Sequence, residues 1–114
     1  MKKIGTQTYK LSTPVTILET ASIVGPKESN GPLAKYFDRC LDDEFYGEKT
    51  WEKAESKIIR EAVNSVITKS KIPASKIDIA FAGDLLNQCI SSSFGLRDLN
   101  TPFIRNFWSM FNFC

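Results

Sequence analysis

The chain has 114 residues, 42% hydrophobic and 25% charged, the balance of one soluble globular unit, or part of one, and not of a disordered or fibrous chain. Fifteen basic residues against thirteen acidic ones leave a net charge of +2. No stretch clusters Lys and Arg as a phosphate-tracking surface would, so nucleic acid is excluded as a partner. The basic start Met1-Lys2-Lys3 is followed by residues too polar for a signal-peptide core, and no run reaches membrane-spanning length, so the expected location is intracellular.

Cysteine and histidine usage narrows the chemistry. Cys40, Cys89 and Cys114 are odd in number and form no CxxC pair, so neither a disulfide framework nor a zinc site is indicated, and they read as free thiols in a reducing compartment. The chain contains no histidine, which removes Ser-His, Cys-His and His-metal mechanisms from this stretch. No cofactor and no catalytic residue are expected.

In chain order, the β-branched and apolar residues from Val15 to Val24 read as one or two early strands closed at Gly25-Pro26. A loop through Ser29-Asn30-Gly31-Pro32 follows. Leu33 to Leu41, with Leu33, Tyr36, Phe37 and Leu41, fits a short helix. The clearest element is a helix from about Trp51 to Lys69, with Trp51, Ala54, Ile58, Ile59, Ala62, Val63, Val66 and Ile67 forming its apolar face. Thr50 is its expected N-cap, Glu52 and Glu55 suit its positive end, Lys69 and Lys71 its negative end, and Pro73 lies just beyond.

Ile77 to Gly83 is a short apolar run of the kind that forms a buried parallel strand. Leu85, Leu86, Cys89, Ile90, Ser93 and Phe94 then recur at helical spacing, which puts Asp84 at a strand-to-helix turn. Thr101-Pro102-Phe103-Ile104 begins another strand and completes a β-α-β unit with an expected right-handed crossover. Ligands of open α/β sheets gather beyond the carboxyl ends of the strands, so the position of Asp84 is notable. An aspartate at a helix start also serves simply as a cap, and spacing alone leaves both roles open. Cys89 falls on the apolar face of its helix and reads as core.

Four blocks carry a family resemblance: Val24-Gly25-Pro26-Lys27-Glu28, Gly31-Pro32-Leu33, Trp51-Glu52-Lys53-Ala54-Glu55 and Ala82-Gly83-Asp84-Leu85-Leu86-Asn87-Gln88. Collinear from the N-terminus to Ile104, they resemble the stage V sporulation protein AD family. The last block is the most specific. The resemblance implies an α/β, thiolase-like fold, of which this chain supplies an incomplete first part. It also implies binding rather than turnover: dipicolinic acid held where a thiolase holds its acyl substrate, in support of uptake into the developing spore. Implied partners are dipicolinic acid with calcium, other stage V sporulation membrane proteins and a second copy in a homodimer, at the inner spore membrane. Of the family's ligand site, only Asp84 carries over, because the Cys and Ser of a following Gly-Ala-Cys-Ser-Thr motif have no counterpart here. An aspartate facing a dicarboxylate needs a proton or a calcium ion between them. A fragment of a thiolase-fold acyltransferase or ketoacyl synthase is the alternative of the enzyme class, and a small interaction protein docking through the Trp51–Lys69 helix or the aromatic tail is a third.

After Ile104 the sequence departs from the family and ends Arg105-Asn106-Phe107-Trp108-Ser109-Met110-Phe111-Asn112-Phe113-Cys114. Read one nucleotide later, the Trp108 codon forces Gly, and the Met110 codon with the first base of Phe111 forces Cys. Permitted codons extend this to Gly-Ile-Phe-Gly-Ala-Cys-Ser-Thr. The expected organisation is therefore 1–104 as the first part of a thiolase-like domain and 105–114 as an out-of-frame tail whose exposed aromatics favour aggregation or a non-functional product.

Overall fold

The computed structural model describes residues 1–83 and 90–105, the side chain of Arg105 excepted. The order is mixed α/β. Strands β1 (Lys2–Ile4) and β2 (Thr8–Lys10) form an antiparallel hairpin whose three-residue turn opens at Gly5, with φ of +72°, where a side chain would be strained. The hairpin is fully exposed, and it was not foreseen because Lys-Lys-Ile and Thr-Tyr-Lys are too short and polar to signal strands.

The expected strand from Val15 is confined to β3 (Ile23–Val24), which pairs in parallel with β4 (Arg39–Cys40). Residues 13–22 form no strand in the described structure. Their composition suits one, but a strand needs a partner, and among the described residues no strand pairs with this segment. Between β3 and β4 the chain makes α1 (Pro26–Ser29), with Pro26 in the first turn, and a 3₁₀ turn at Ala34–Tyr36. The helix expected over Leu33–Leu41 is thus only a single turn followed by β4. Asp38 explains the switch: its Oδ2 accepts from Ser22 N at 2.8 Å and Ser22 Oγ at 3.1 Å, drawing this segment alongside β3.

Helix α2 (Trp51–Ser70) forms as the periodicity requires, and Lys53 N–H donates to the Thr50 hydroxyl at 3.3 Å, the expected cap. It closes at Lys71, a non-glycine residue in the left-handed region at φ +58°. Its apolar stripe is half-buried apart from Ala54, which is buried, and Trp51, which is exposed. Strands β5 (Ala80–Ala82) and β6 (Phe103–Arg105) pair in parallel, as a β-α-β unit demands, and α3 (Ile90–Gly95) lies between them in sequence and against α2 in space.

The α2–α3 seam is built from small residues. Ser91, Ser92 and Gly95 are buried, and a methyl added at Gly95 would stand 2.8 Å from Ile59 Cγ2 and 2.9 Å from Ser56 O. Ser91 Oγ donates across the seam to Glu52 O at 3.4 Å. The buried apolar side chains in the described residues are only Leu41, Ala54 and Leu96. The radius of gyration, 16.2 Å, exceeds the roughly 13 Å of a compact chain of this length.

Candidate functional site

The carboxyl ends of β5 and β6 lie on the same side of their sheet, because the two strands run in parallel with Ala82 opposite Arg105. In open α/β sheets that end is where ligands gather. The crossover between these strands returns through α3, and the small-residue seam fixes α3 on the long helix α2. Gly83, exposed, follows β5 directly. Asp84, the residue expected to contribute to a ligand site, comes next in the chain and lies outside the described residues, as do Cys89 and Cys114. Cys40 is exposed and free.

Two polar clusters tie the loops and β4 to α2. Lys69 Nζ donates to Asp38 Oδ1 at 2.8 Å and Thr20 O at 2.7 Å, and sits 3.6 Å from Glu19 Oε1. The Lys69 ammonium, with the Ser22 N–H and hydroxyl, holds the Asp38 carboxyl below the usual aspartate range; reciprocally, hydrogen bonding to Asp38 raises the Lys69 pKa. In the second cluster Glu61 Oε2 accepts from Tyr46 Oη at 2.5 Å and from Arg39 Nη1 at 2.7 Å. The Glu61 carboxylate raises the Tyr46 phenol pKa, while Arg39 and Lys57 lie 5.3 and 4.3 Å from the Tyr46 ring. Sequence reading missed both clusters, because their hydrogen-bonded partners stand between 15 and 49 residues apart.

A cleft of about 550 Å³ between α2 and α3 is lined by Lys53, Lys57, Arg60 and Arg97 together with Glu48 and Glu52. Its charges are largely answered from within: Lys57 lies 3.7 Å from Glu48, and Asp98 lies 4.0 Å from Arg60 and 3.7 Å from Arg97. The pairs with Asp98 are exposed and the Lys57–Glu48 pair is partly so, which leaves the cleft no strong net field. Among the described residues, no group of three or more His, Cys, Asp or Glu could hold a metal ion. Among the same residues no helix is long and apolar enough to cross a membrane.

Parallel strands joined through a helix define a protein of the mixed α/β class. Within that class the chain belongs to the stage V sporulation protein AD family: the family model "Stage V sporulation protein AD (SpoVAD)" matches residues 5–114. Stage V sporulation protein AD of Bacillus subtilis (strain 168) is 36% identical to it over 104 residues, covering 91% of this chain and 31% of that protein. The chain therefore spans about a third of the length of the curated relative it matches.

Proposed function

We propose that this chain carries the opening part of a thiolase-like, non-catalytic protein that binds dipicolinic acid and supports its uptake into the developing spore. The observation that carries the reading is the parallel pairing of β5 with β6 within a chain of this family, because ligands of open α/β sheets gather beyond the carboxyl ends of such strands, and the sequence carries Asp84 just after β5. Asp84, two positions after β5 in the sequence, is the residue there with chemistry to offer a dicarboxylate. Its charge acts favourably on such a ligand only through an intervening proton or through calcium arriving with the ligand as cargo. In this reading the working protein is a homodimer that meets stage V sporulation membrane proteins at the inner spore membrane.

The reading includes the frame. Residues 105–114 are the product of a one-base insertion near the Ile104 codon, and the restored frame supplies Gly-Ile-Phe-Gly-Ala-Cys-Ser-Thr from position 105, the last of β6, onward. The family match runs through Cys114, so this part rests on the codons and not on the extent of the match.

Resequencing codons 100–114 and titrating dipicolinate into the frame-restored protein test it together. The expected results are the shifted motif in the DNA, binding by the restored protein, and an Asp84→Asn variant that loses about tenfold or more in affinity when calcium is present. If calcium is the bridge, that loss vanishes without calcium; if a proton is, wild-type binding tightens as pH falls. A gene without the shifted motif overturns the frame, and an Asp84→Asn variant that binds as wild type under every condition overturns the site.

A further inference from the structure

We infer that the β1–β2 hairpin is a docking surface for an anionic lipid bilayer. The inference stands on the hairpin alone and depends neither on dipicolinate binding nor on membrane proteins. Its first support is charge that the sequence separates and the fold gathers. The antiparallel register sets Lys2 directly opposite Lys10, and Lys3 opposite Tyr9. Paired residues share a face of the ribbon, so Lys2 and Lys10 stand on the same side, with Ile4 and Thr8 next along it. Like charges set opposite one another destabilise a two-stranded ribbon that is already marginal in water. A negative surface laid against that face turns the repulsion into attraction.

The chain does not answer this charge itself. Residues 1–18 contain no Asp or Glu, and among the described residues no carboxylate pairs with Lys2, Lys3 or Lys10. The Lys3 ammonium stands 6.0 Å from the centre of the Tyr9 ring, on the other face of the ribbon. Lysines also guard open sheet edges against pairing with other chains. Edge protection calls for a charge on the edge, however, and not for two charges opposed across the pair.

The second support is what accompanies the lysines, and it selects the occupant. Ile4, Tyr9 and Leu11 are about half exposed, and every residue from 1 to 18 is exposed, Val15 and Ile17 included. Apolar side chains stand in water elsewhere, Phe81 among them, but in the hairpin they interleave with unpaired lysines. An acidic peptide or a nucleic acid would meet the lysines and leave Ile4 and Leu11 in water. A bilayer offers phosphates to the ammonium groups and, just beneath, hydrocarbon to Ile4 and Leu11, while the flexible lysine stems span the difference in depth. Tyr9 has the amphipathic ring that settles at such a boundary. With three lysines the attachment is weak and reversible, lying on the bilayer and not crossing it.

Flotation of the full 114-residue chain with lipid vesicles tests the inference, because bound protein rises with the vesicles while aggregated protein stays at the bottom of the gradient. The chain is expected to rise with vesicles containing phosphatidylglycerol, to stay behind with phosphatidylcholine alone, and to be released as salt is raised. A lysine near an anionic surface is worth about fivefold in partitioning, so Lys2→Gln, Lys3→Gln and Lys10→Gln together should lower binding by about a hundredfold. The same change at Lys27, Lys49 and Lys76, exposed lysines outside the hairpin, should lower it far less. Ile4→Ser should weaken binding, and Phe81→Ser should not. Absence of flotation, equal binding to neutral vesicles, equal loss from the two triple variants, or tighter binding to polyglutamate or DNA than to vesicles of matched charge would each overturn the inference.

Discussion

Gly95 is the residue at which packing is least forgiving. Its missing side chain lets α3 approach Ile59 and the Ser56 carbonyl to within what a methyl group could not tolerate. The nearest of these is a β-branched side chain in a helix and another is backbone, so neither can retreat cheaply. Gly95→Ala is expected to cost about 1–3 kcal/mol despite alanine's better helix propensity. Urea denaturation followed by circular dichroism measures it, and an unchanged midpoint would mean that α3 does not sit on α2 as described.

At the scale of elements, α2 was legible because everything that specifies it lies within the element: a capping hydroxyl at Thr50, an apolar stripe at helical spacing and lysines at its end. Thr50→Ala should remove the bond to Lys53 N and lower stability by about 1 kcal/mol, read as a fall in the melting temperature. The parallel β5–β6 pair was legible for a similar reason, since an apolar run, a helix and a second run leave little choice of topology. The segment from Val15 was not. Its residues suit a strand, but strand formation is decided by a neighbour, and the described residues provide none before Ile23. At Gly25-Pro26 the expected strand end holds, since β3 stops at Val24, but proline in a first helical turn is also a start signal, and the start of α1 there was missed. Asp84 was singled out by sequence and lies outside the described residues, so its part in a site rests on its place after β5.

Across the whole molecule, Asp38 and Lys69 join pieces that no single element unites. Asp38 holds Ser22 beside β3, and Lys69, from the end of α2, reaches both Asp38 and the Thr20 carbonyl. Because the folded Asp38 pKa lies below its ordinary value, its contribution to stability is present above that value and is lost as pH falls through the folded pKa. The folded Lys69 pKa is raised, so its contribution is present below the ordinary lysine value and is lost as pH rises through the folded one. Asp38→Asn should therefore flatten the acid limb of a plot of stability against pH. It should also return Lys69 toward the usual lysine range, measurable by side-chain NMR titration. Both groups are exposed, so salt should weaken the effect.

The exposed apolar side chains have a cellular consequence as well as a structural one. A chain that leaves Phe81, Ile17 and Val15 in water presents the kind of surface that invites aggregation and proteolysis, so its level in a cell would be set less by synthesis than by how quickly exposed copies are removed.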